Sequence, residues 1–121
     1  MARVRDDHDA VFIELSWPDK VLALSGSLRI PYAHIAGIHT DPVPRTWYRG
    51  MRIGTNLPGI KVAGTFVNSE GIMFYDFRDP NRCLTFILTH ERYTKVVVEV
   101  DPEQDPNGLC LAIRKRLLTK F

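Results

Sequence analysis

The sequence predicts a mainly β fold: a curved antiparallel sheet or partly open barrel of about seven strands, capped by one C-terminal α-helix. Three observations predict it. Short runs that alternate apolar and polar residues recur between residues 10 and 100, at the period of two that buries one face of a strand. Clusters of Gly, Pro, Asn and Asp punctuate those runs. The final stretch then changes period, with Leu109, Cys110, Ile113, Leu117 and Phe121 forming one helical stripe.

Each element follows from its residues. Val11, Ile13 and Leu15 alternate with Phe12 and Glu14 in a first strand, and Trp17-Pro18-Asp19-Lys20 turns the chain into a second at residues 21–25, so that the two read as a hairpin. Residues 27–30 open another edge that ends at Pro31, which has no N–H for a ladder. An irregular link, Pro31-Tyr32-Ala33-His34, leads to a strand over 35–40, broken by Asp41-Pro42-Val43-Pro44. A long loop follows. The chain re-enters the sheet at 60–66, where Gly64 marks a bulge or a close backbone approach. Asn68-Ser69-Glu70-Gly71 is a turn, and 72–77 and 83–88 form a second hairpin around Asp79-Pro80-Asn81, with Pro80 preset for the first central turn position. Residues 96–100, a β-branched run, carry the strongest strand signal. Asp105 is the favoured helix N-cap, with Pro106 as first helical residue and Asp101 as the competing cap.

A chain of 121 residues fits one domain, here 10–121, preceded by a polar, flexible N-terminal arm at 1–9. A formal net charge of +2 gives no general field for nucleic acid, so anion binding has to be local. The first residues hold no apolar signal core, and no apolar run reaches the ~20 residues that span a bilayer; the expectation is a soluble cytoplasmic protein. Cys83 and Cys110 share no metal-type spacing and are expected to be reduced, packed thiols.

Several words of the sequence carry a resemblance: Ile30-Pro31-Tyr32-Ala33-His34-Ile35, Gly54-Thr55-Asn56-Leu57-Pro58-Gly59, Ala63-Gly64-Thr65-Phe66, Phe77-Arg78-Asp79-Pro80 and Glu91-Arg92-Tyr93. Together with the strand and helix order, they resemble an uncharacterised bacterial pleckstrin-homology-like (PH-like) domain family. The resemblance covers most of the chain and implies a fold and a general interaction role, with no reaction. Lipid-binding PH modules place a basic motif between their first two strands, where this chain has only Trp17-Pro18-Asp19-Lys20.

The candidate site is the stretch in which Arg45, Arg49 and Arg52 alternate with Trp47 and Tyr48. These residue types dominate interface hot spots, so the leading expectation is a non-catalytic module that binds protein, a second copy or another partner, through residues 45–59. The alternative is that the same guanidinium groups clamp an anionic lipid headgroup or a small anionic ligand. A structural role competes with both: the arginines solvate the loop while Trp47 or Tyr48 folds back over the barrel end. Gly54-Thr55-Asn56-Leu57-Pro58-Gly59 is not a phosphate loop, because neither Lys-Ser/Thr nor a helix follows it. His34, His39 and Asp41 suggest a metal or acid-base cluster, but the two histidines differ in strand parity and fit polar edge roles better. The sequence thus assigns no catalytic residue, no cofactor and no metal site.

Overall fold

The computed structural model describes residues 2–7, 9–15, 27–43, 51–57 and 61–120. β1 (Ala2–Asp7), β2 (Ala10–Leu15) and β3 (Leu28–Pro31) form an antiparallel three-stranded sheet in that order. A 3-10 turn, Tyr32–His34, leads into a six-stranded sheet of β4 (Ile35–His39), β5 (Met51–Leu57), β6 (Lys61–Asn68), β7 (Gly71–Phe77), β8 (Cys83–Leu88) and β9 (Lys95–Glu99). Its strand order is β4-β8-β9-β7-β6-β5, and α1 (Pro106–Lys120) follows. Among the described residues the architecture is therefore nine strands in two sheets plus one α-helix, and the sheets do not close into a barrel.

One face of the larger sheet carries Ile38, Ala63, Phe74, Leu84, Phe86, Val96 and Val98, which join a single buried cluster with Val4, Val11, Ile13 and Ile30 of the smaller sheet and with Cys110 and Ile113 of α1. The opposite face holds a second cluster of Val62, Phe66, Met73, Tyr75, Phe77, Cys83 and Val97. Helix α1 begins as the sequence predicts: the Asp105 carboxylate accepts from Asn107 N at 3.3 Å and Gly108 N at 3.2 Å, with Pro106 as the first helical residue. Cys83 and Cys110 are buried free thiols.

Four expectations are corrected. Residues 1–9 are not a frayed arm, since β1 runs antiparallel to the whole of β2 and buries Ala2 and Val4. Two small apolar residues at a spacing of two suffice to bury its inner face, while Arg3 and Arg5 stay outside. The sheet is not wholly antiparallel, because β7 and β9 run parallel. The expected hairpin of residues 72–77 with 83–88 is also absent: its turn forms, with Arg82 N donating to Asp79 O across Pro80 and Asn81, but β9 lies between the two strands. The reason is burial on both faces. Val96, Val97 and Val98 are all fully buried, and a β-branched run without polar alternation belongs at the centre of a sheet. Finally, the long loop expected before residue 60 contains a strand, since residues 54–57 belong to β5, in unbroken register with β6 and with Gly54 opposite Gly64. Residues 21–25, expected to pair with β2, lie outside the described residues, and β1 and β3 occupy the two edges of β2 over residues 10–13.

Candidate interaction surface

Four strands end the two sheets, and polar side chains treat them differently. The outer edge of β1 is satisfied by one glutamine. Gln104 Oε1 accepts from Val4 N at 2.9 Å and Gln104 Nε2 donates to Val4 O at 2.7 Å, so the side-chain amide stands in for the peptide of a neighbouring strand. Ala2 O accepts from Asp101 N at 2.9 Å, and Ala2 forms a parallel bridge with Val100, which joins the two sheets at this corner. Arg82 holds the same corner through the carbonyls of Asp101 and Gln104. On β4, Ile38 O accepts from Arg114 Nη2 at 2.7 Å and Nε at 3.2 Å, so α1 seals that edge. β3 has four residues and ends in Pro31.

β5 is different. It is the terminal strand of the six-stranded sheet, spans seven residues, and pairs along its length with β6. Of the sequence-predicted site, Arg52 lies in this strand, opposite Phe66 in the register. Arg45, Trp47, Tyr48 and Arg49 lie outside the described residues, as do residues 58–60.

The histidines are placed by a separate corner. His34 Nδ1 lies 2.5 Å from Glu91 Oε2, and His34 O accepts from Thr89 N at 2.8 Å, tying the 3-10 turn to the link between β8 and β9. In that link His90 adopts φ +59°, a left-handed conformation that histidine tolerates better than most residues, and its ring lies 6.3 Å from that of His34. His39 is exposed on β4. Among the described residues, no group of three or more His, Cys, Asp or Glu side chains is arranged to hold a metal ion.

Among the described residues, burial shifts four titratable groups. The Tyr32 phenol, which donates to Asp6 Oδ1 at 2.8 Å, is pushed up to about 12 by burial and then by the Asp6 carboxylate, with Arg116 opposing. Tyr75 is raised by burial and by the charge of Glu70. Burial lowers Lys95, against the pull of Glu70. Cys110 is raised by burial, with Arg114 opposing and Asp41 adding, which disfavours its thiolate.

Sequence reasoning missed two polar residues that organise these corners. Gln104 sits in a turn with no periodicity to mark it. Glu99, almost buried at the end of β9, accepts from Arg78 N at 2.8 Å and Asp79 N at 2.9 Å through one oxygen and anchors the turn after β7. Its position in a β-branched run, VVVEV, was the available signal, because a carboxylate there needs donors. Comparisons of the chain with known protein families, with curated proteins and with solved structures gave no match.

Proposed function

We propose that this chain is a non-catalytic interaction module of the PH-like type, which binds protein, either a second copy of itself or another chain, through residues 45–59 and the edge of β5. The observation that carries the reading is the unequal treatment of strand edges. Side chains occupy the edges of β1 and β4, whereas β5 ends its sheet with backbone pairing to β6 alone among the described residues. A terminal strand offers a row of N–H and C=O groups to an added strand. Immediately before it, the chain supplies Arg45, Trp47, Tyr48 and Arg49, the residue types that anchor interfaces.

A mainly β domain closed by a C-terminal helix is in keeping with the PH-like type, while the parallel β7–β9 pair departs from the antiparallel arrangement expected of it. Size-exclusion chromatography with light scattering, paired with affinity capture, tests the function. Self-association or a specific partner is expected, weakened at least ~tenfold by Trp47→Ala with Arg49→Ala. The folding stability of that double variant should change by less than roughly 0.5 kcal/mol per site. A protein that stays monomeric at high concentration and captures no specific partner overturns the proposal.

A further inference from the structure

Helix α1 has a second apolar face. The sequence assigns it one stripe, and Cys110, Ile113, Leu109 and Leu117 do pack inward. Leu111 and Leu118, however, are 67% and 82% exposed, and with Val67 they are the large hydrophobic side chains left open to solvent among the described residues. Seven residues apart, they stand about 10 Å from each other along one side of the helix, roughly opposite the buried stripe. Lys115 lies between them on the same side and is exposed.

The charge of this helix is one-signed. Residues 106–120 contain Arg114, Lys115, Arg116 and Lys120 and no Asp or Glu. The Arg114 and Arg116 head groups turn toward the body of the domain, to Ile38 O and to the Asp6 carboxylate. Of the acids near α1, Asp105 caps its first turn, Asp6 meets Arg116 and Asp41 lies within electrostatic reach of Cys110, while the side around Leu111 and Leu118 presents leucine and lysine.

We infer that the Leu111–Lys115–Leu118 face of α1 docks on an anionic lipid surface, the two leucines entering the acyl boundary and the lysine remaining at the phosphates. A second copy fits this role less well, since an antiparallel pairing of two such faces brings Lys115 of one helix close to Lys115 of the other. A groove in an acidic protein fits less well. Helix-in-groove contacts use a continuous apolar ridge at i, i+3 or i+4, and i+7, and here the middle position is Lys115. A bilayer needs no ridge: each leucine inserts separately while a long cationic side chain reaches back to the headgroups. No described helix is long and apolar enough to cross a membrane, so α1 lies in the interface plane. This surface is separate from the proposed contact at residues 45–59.

Co-sedimentation with phosphatidylcholine vesicles, with and without phosphatidylglycerol, tests it. Wild-type protein is expected to bind the anionic vesicles and to lose binding as salt rises. Leu111→Ser with Leu118→Ser should lower the partition coefficient at least ~tenfold, since that requires less than the transfer free energy of one fully buried leucine. Lys115→Glu should lower it by roughly tenfold or more, because a repulsive charge replaces an attractive one. Both variants alter exposed positions and should melt as wild type does. No preference for anionic vesicles, or unchanged binding by the double leucine variant, overturns the inference. Oligomers of wild-type protein that the leucine variant splits would make this face a protein contact and overturn it as well. Trp47→Ala with Arg49→Ala should leave vesicle binding intact; if it abolishes binding, the lipid contact belongs to residues 45–52 instead.

Discussion

β1 and β5 are both terminal strands of similar length, and the partners described for them differ. β1 carries four charged residues in six, yet it is fastened on several sides: one edge pairs with β2, Ala2 and Val4 bury into the core, its other edge is filled by Gln104 and Asp101, and Asp6 is gripped by Tyr32 and Arg116. β5 has a single charged residue, Arg52, and its described pairing is to one neighbour only. Edge protection thus resides in particular side chains contributed by distant parts of the chain, and the hydropathy of the strand itself does not reveal it.

The contrast can be broken most strongly at Gln104. Gln104→Ala deprives the Val4 N–H and C=O of partners and should cost roughly 2–3 kcal/mol, read as a lower urea midpoint with little change in slope. It should also leave the outer edge of β1 without its side-chain partner. A variant that self-associates more than wild type, and still does so when Trp47 and Arg49 are replaced, would show that an uncovered edge is sufficient.

Tyr32 comes next. With its phenol raised from 10.0 to about 12, the neutral form is favoured in the folded state. Its contribution is therefore complete below pH 10, declines as pH rises from 10 to 12, and is lost above 12, for a total of roughly 3 kcal/mol. Tyr75 and Cys110, also raised, add to the alkaline decline, whereas Lys95, lowered by burial, works in the opposite sense over its own titration range. Tyr32→Phe should be less stable near neutrality, through the lost bond to Asp6, and should show a flatter decline in the urea midpoint up to pH about 11. An undiminished decline would remove Tyr32 from the fastening of β1.

The smallest effect is expected at β4. Arg114→Ala frees one face of the Ile38 carbonyl, which still packs beneath Cys110, and should cost about 1 kcal/mol. Arg114→Lys should recover part of that in the same urea titration, because an ammonium can reach one of the two donor positions but not both.

Legibility in the sequence divides along the same line. Strands with clean alternation or β-branched runs, such as Val11-Ile13-Leu15 and Val96 to Val98, could be read, and so could the Asp105–Pro106 helix start, because local chemistry alone determines them. β1 could not, since Arg3, Arg5, Asp6 and Asp7 mask Ala2 and Val4 until a partner for them is known. The insertion of β9 between β7 and β8 was hidden because the Asp79–Arg82 turn is equally compatible with a simple hairpin. For the candidate site, composition identified Arg45 to Arg52 as unusual. It could not reveal that Arg52 lies in the terminal strand of a sheet, which is a property of pairing order across sixty residues of chain.

The Gln104 amide bonded to Val4 has a further consequence, in the order of events during folding. These two residues are 100 positions apart, and so are Arg3 and Glu103 beside them. On a ribosome β1 emerges well before Gln104, and its edge stays unfilled until the intervening 100 positions of chain have followed. Closing so long a loop is entropically costly, and contacts of this kind slow folding toward the millisecond-to-second range. β1 is thus made long before its edge is secured, and during that interval a chaperone or a neighbouring nascent chain has access to the very edge that the folded domain covers.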